Sequence, residues 1–143
     1  MVSINFFLIL TSILEIYAQH SIDSFGAIPN INTHSIALAN GLALAKAITI
    51  ANSSTSIGID RVVLVPANVY SFLPSTSTFY NLIDVTLKIE GTLNISVENF
   101  TSTTAGYPGM STGNPFPPLS FTNAIGLSII SETGKGLING RGE

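Results

Sequence analysis

The chain has 143 residues, 45% of them hydrophobic and only 9% charged, with a formal net charge of −3 and no cysteine. Its five basic residues, Lys46, Arg61, Lys88, Lys135 and Arg141, are scattered, which argues against a nucleic-acid partner. The lack of cysteine excludes disulfides and thiolate metal sites, and low charge with abundant Ser, Thr and Asn suits a β-rich extracellular surface around one modest core.

At the N-terminus, Ile4 to Leu14 is an apolar run shorter than the ~20 residues that span a bilayer. Ile16-Tyr17-Ala18 then offers a small residue at a cleavage point. Residues 1–18 therefore read as a signal peptide cut before Gln19. The expected product is secreted, without stable membrane association, and a monomer. Three glycosylation triplets, beginning at Asn52, Asn94 and Asn99, agree with secretion, and their use stays open.

A first strand is expected over Ser21 to Phe25, closed by Gly26, with a turn at Pro29. From Thr33 or His34 to Ile50 the pattern is helical, with Asn32 or Thr33 as N-cap and Leu38, Leu42, Ala45 and Thr49 at helix spacing. The run Asn52 to Ser56 ends it as a loop. Strands follow at Val62 to Val65, stopped by Pro66, and at Val69 to Leu73, stopped by Pro74. Val85 to Ile89 alternates apolar and polar residues, Gly91 turns the chain, and Thr92 to Ile95 resumes it. Ser96 to Pro118, dense in Pro, Gly, Ser and Thr, predicts a long loop. The last strands are expected at Leu119 to Phe121, Leu127 to Ile130 and Leu137-Ile138.

Short, near-continuously apolar runs separated by Gly, Asn and Ser turns suggest stacked repeats, although a β-sandwich would give similar runs. One amphipathic helix ahead of the first apolar strand favours an all-β fold, a parallel β-helix with a short N-terminal capping helix, because an open end of such a stack needs a cover.

The order of motifs resembles the polygalacturonases, the pectin-cleaving glycoside hydrolases. Phe25-Gly26-Ala27 before a helix is similar to that family's opening strand and cap. Val63-Leu64-Val65-Pro66 followed by Tyr70 resembles its first apolar rung, and Ile89-Glu90-Gly91-Thr92-Leu93 its next. Phe121 with Asn123-Ala124-Ile125-Gly126-Leu127-Ser128-Ile129 resembles the rung after the variable loop. Gly134 to Gly142 resembles its glycine-punctuated turn. The likeness implies a right-handed parallel β-helix, with residues 19–143 as its incomplete N-terminal part. It also implies inverting hydrolysis of pectin or polygalacturonate. The chain departs from the family at Ile28 to His34, where a Gly-Asp segment is usual, and at Ala67-Asn68, where Gly is usual and Asn is expected to carry the left-handed turn.

The family's Asp-bearing motifs do not occur in the sequence, so no catalytic residue is assigned and the catalytic aspartates are expected beyond Glu143. No cofactor and no metal are implied. Asp84, Lys88 and Glu90 share strand parity and could line one face, though a solvated polar face is the commoner outcome. Asp23, Asp60, Glu98, Glu132 and Glu143 show no pairing by spacing. Tyr70, Phe72, Phe79 and Tyr80 could stack on sugars but are more often core or loop anchors. His20 and His34 lack metal-ligand spacing. The glycines from Gly134 to Gly142 lack the Gly-Lys-Ser/Thr step of a phosphate loop and read as turn residues. The rival function is a non-catalytic secreted module, either surface-binding or a decayed enzyme.

Overall fold

The computed structural model describes residues 19–55, 59–73, 78–96 and 119–140. The expected leader, nearly all of the expected loop from Ser96 to Pro118, and Asn99 lie outside the described residues.

Strand β1 is His20–Ser21, and a 3-10 turn over Ile22–Phe25 replaces the strand expected there. Gly26 closes that turn in the left-handed conformation at φ 94°. Helix α1 is His34–Ser53. Then come β2 (Val62–Val65), β3 (Val69–Phe72), β4 (Thr78–Tyr80), β5 (Thr86–Ile89), β6 (Thr92–Ile95), β7 (Ser120–Thr122), β8 (Ser128–Ile130) and β9 (Leu137–Asn139).

Every described ladder is parallel. The sheets run β1-β2-β5-β8, β3-β6-β9 and β4-β7. Val63 pairs with Leu87 and Leu87 with Ile129. Tyr70 pairs with Leu93 and Leu93 with Ile138. The apolar runs are thus set in columns, with β2, β5, β6, β7, β8 and β9 each lying beside a strand from an earlier part of the chain.

The all-β expectation, a parallel β-helix with a capping helix, is corrected. The described residues form one 20-residue helix and short parallel strands in three small sheets, a mixed α/β arrangement, and they show no closed solenoid. The physical reason lies in where the core comes from. No described strand exceeds four residues, and α1 supplies Ala43, Leu44, Ala47, Ile48 and Ala51 to the same cluster as Val63, Val65, Tyr70, Phe72, Leu87 and Leu93. The helix contributes a layer of that core, packed on β1, β2 and β3.

The face of α1 that packs also differs from the expected row. Ala37, Asn40, Gly41, Leu44, Ile48 and Ala51 are buried at helix spacing. Leu38 and Leu42 are 39% and 56% exposed. Ala, Leu and Ile occur all round the helix, so hydrophobic spacing does not mark the packed side.

Two glycines let successive turns stack. A Cβ on Gly91 would lie 2.1 Å from the Pro66 carbonyl oxygen and 2.2 Å from that of Asn68. A Cβ on Gly136 would lie 2.1 Å from the Ile89 carbonyl oxygen. Asn68 is not left-handed as expected. Its carbonyl accepts from the Thr92 N–H at 2.8 Å, and the need for glycine falls one layer up, on Gly91. Among the described residues, the left-handed asparagines are Asn30, Asn81 and Asn123.

Candidate functional site

The acids singled out in the sequence occupy two corners, one at each end of β5. Asp84 lies in the corner before it, in the left-handed conformation at φ 51°, with its N–H bonded to the Ile125 carbonyl. Glu90 lies in the corner after it. Their carboxylates turn to different neighbours, that of Asp84 to Gly126 and that of Glu90 to Ser131, Glu132 and Thr133, so they do not face each other across one bond as the acid and base of inverting hydrolysis must.

Glu90 has local partners instead. Its Oε1 accepts from the Glu132 N–H at 2.8 Å. Its Oε2 accepts from the Thr133 N–H at 3.0 Å, from the Ser131 hydroxyl at 3.3 Å and from the Thr133 hydroxyl. The Thr133 hydroxyl first, and then the Glu132 N–H, lower the Glu90 carboxyl to about 2. A group so acidic stays ionised at ordinary pH and has no proton for a leaving oxygen. Lys88 does not join Glu90 in a catalytic face: its Nζ lies 2.5 Å from the Glu132 carboxylate, which is 66% exposed.

The other sequence candidates disperse. Tyr70 and Phe72 are core residues, and Phe79 is buried with its ring 5.6 Å from that of Phe121. Tyr80 alone of the four aromatics is exposed, at 60%. The Tyr70 hydroxyl donates to Asp23 at 2.7 Å, and burial, followed by that bond, pushes the phenol up to about 12. His20 Nε2 lies 2.9 Å from the Asp60 carbonyl oxygen, and His34 is exposed at the start of α1. No cluster of His, Cys, Asp or Glu among the described residues could hold a metal ion. The turn from Gly134 leads into β9, and Gly136 serves close packing on Ile89. Of the glycosylation triplets, Asn94 is buried in β6. Asn52 uses both ends of its amide, accepting from the Ile83 N–H at 2.9 Å and donating to the Asn81 carbonyl at 3.2 Å.

Sequence reading missed three polar anchors. Asn40, 2% exposed, accepts from the Ile28 N–H at 2.7 Å and donates to the carbonyls of Ile28 and Ser71 at 3.0 and 2.9 Å. Its signal was present: it is the lone amide on a helix face otherwise made of Ala, Gly, Leu and Ile. Arg61, noted in the sequence only as one of five scattered basic residues, donates to the carbonyls of Ile83 and Ser54. The bonds of Glu90 had no local signal, because their partners lie some forty residues on.

No family model matches the chain, and neither a curated protein nor a solved structure matches it.

Proposed function

We propose that the chain is part of a secreted, polygalacturonase-like glycoside hydrolase acting on pectin or polygalacturonate. In this reading residues 19–140 support the cleaving site, and the aspartates that perform inverting hydrolysis are supplied from outside them. One observation carries the proposal: five motifs similar to that family's occur in the same order, from Phe25-Gly26-Ala27 to the glycines that begin at Gly134. Their register is consistent with a common role. Val63-Leu64-Val65 pairs with Leu87-Lys88-Ile89, and Leu87-Lys88 pairs with Ile129-Ile130. The supporting role rests on the separation of Asp84 from Glu90 and on the commitment of Glu90 to a neighbouring turn.

Release of reducing ends from polygalacturonate tests this, with the purified, folded 143-residue chain in one arm and the product of the native transcript in the other. The chain is expected to give no turnover above a blank, and the transcript product to cleave with inversion. Turnover by the chain that disappears in an Asp84→Ala/Glu90→Ala double variant would place catalysis on the described acids and overturn the supporting role. A transcript product that binds polygalacturonate without cutting it would favour the non-catalytic module, a reading also consistent with the fixed Glu90. Neither binding nor cleavage would remove pectin as the substrate class.

A further inference from the structure

Strands β7, β8 and β9 are each the last in their sheets, and their side chains are poorly covered. Ile129, Ile130 and Leu137 are 47%, 43% and 52% exposed, while Phe121, Leu127 and Ile138 are only partly buried against the core. A layer that buries little apolar surface opens at low free energy, so its polar attachments weigh heavily in keeping it closed. We propose that the Glu90 carboxylate is an acid-releasable clasp that holds the β8–β9 corner, and with it the outer layer, on the β5–β6 corner.

The geometry is specific to a carboxylate. The two oxygens of Glu90 face four donors from three residues of the β8–β9 corner: the N–H groups of Glu132 and Thr133 and the hydroxyls of Ser131 and Thr133. Those hydroxyls also order the rest of the corner. Ser131 Oγ accepts from the Gly136 N–H at 3.0 Å, and Thr133 Oγ1 from the Lys135 N–H at 3.3 Å. A hydroxyl can rotate to accept a bond, whereas a backbone N–H cannot. A proton on Glu90, or an amide in its place, therefore sets a donor against donors.

Among the described residues, the charged groups at this corner are Lys88 from β5, paired with Glu132, and Lys135 within the corner itself. The turn beneath, Pro66 to Asn68, carries none. The folded value of Glu90, about 2, lies below its ordinary 4.5. Its contribution is therefore complete above about pH 4.5 and is lost as pH falls towards 2. Glu132 is the other carboxylate in this corner and is paired with Lys88, so Glu132→Gln serves as the control.

Amide exchange on the full chain between pH 2 and 7, expressed as protection relative to the free amide, tests the clasp. In Glu90→Gln at pH 6, protection at the amides of Glu132 and Thr133 is expected to fall about ten-fold or more, while Val63 and Val65 stay unchanged. Wild-type protection at the corner should fall to the variant's level as pH approaches 2. The acid step should persist in Glu132→Gln and vanish in Glu90→Gln. Wild-type protection in Glu90→Gln at pH 6, or an acid step that survives in it, overturns the proposal. Should Glu90→Gln fail to fold, Thr133→Val, which removes one donor and keeps the side chain's shape, must still lower corner protection, and no change there overturns the proposal equally.

Discussion

The inner strands and the outer strands of this molecule are written in nearly the same residues and live in different environments. Along one column, Val63 and Leu87 are wholly buried, and the next residue, Ile129, is 47% exposed. In β3, Tyr70 and Phe72 are buried between the sheets and α1. Leu137 and Ile138, an equally apolar pair in β9, are exposed and half-buried. An apolar run specifies a strand, but only a neighbouring layer makes it core. The inner strands are therefore expected to be held by packing, and the outer ones by ladder bonds and by Glu90.

The largest test of this contrast is Leu87→Ala set against Ile129→Ala. Leu87 lies at the centre of the core cluster, and its truncation should cost about 3 kcal/mol in denaturant unfolding. Ile129→Ala, one position along the same column, should cost less than about 1 kcal/mol. Equal losses would mean that the outer layer is as well packed as the inner one.

A second test compares the two sides of α1. Asn40→Ala leaves the peptide groups of Ile28 and the carbonyl of Ser71 without their buried partner, at a cost of about 2 kcal/mol. Leu42→Ala, on the exposed side, should stay within about 0.5 kcal/mol. A larger loss from Leu42→Ala than from Asn40→Ala in thermal melts would reverse the assignment of the packed face.

The smallest effect concerns Tyr70, whose ring is core and whose hydroxyl bonds Asp23. Tyr70→Phe should cost about 1 kcal/mol at neutral pH. The folded phenol titrates near 12 against an ordinary 10.0. Its protonated form therefore supports the fold fully below pH 10, and that support drains away as pH rises through 12. The variant should flatten this alkaline decline in stability, and an unchanged decline would locate the titration elsewhere.

The same contrast explains what could be read from the residues. The extent of α1 followed from its Ala-rich run after Asn32-Thr33, but its orientation did not, since apolar residues on every side leave the period silent. Strand β2 was legible as a β-branched run stopped by Pro66, β3 as the run before Pro74, and β5 and β6 as the alternating segment and its resumption on either side of Gly91. Strand β4 was missed, because Thr78-Phe79-Tyr80 is three residues long and is defined by pairing with Ser120-Phe121-Thr122 across a wide gap in sequence. The fold class was misjudged for a related reason. Local pattern shows strands but does not show that a helix fills one side of their core. The corner at Glu90 was visible only as parity with Asp84 and Lys88, and strand parity says nothing about which distant turn a carboxylate will meet.

The one-directional register carries a consequence for how the chain is made. Strand β5 is laid against β2, β8 against β5, β6 against β3 and β9 against β6. In each pair the later strand settles on one already synthesised, and every pairing closes a loop of tens of residues, which makes folding from the complete unfolded chain slow. During synthesis the order of emergence matches the order of need, because each template leaves the ribosome before the strand that will lie on it. Such a chain is suited to growth by accretion, with α1 and β2 as seed, and refolding from denaturant should be slower and more error-prone than its first folding.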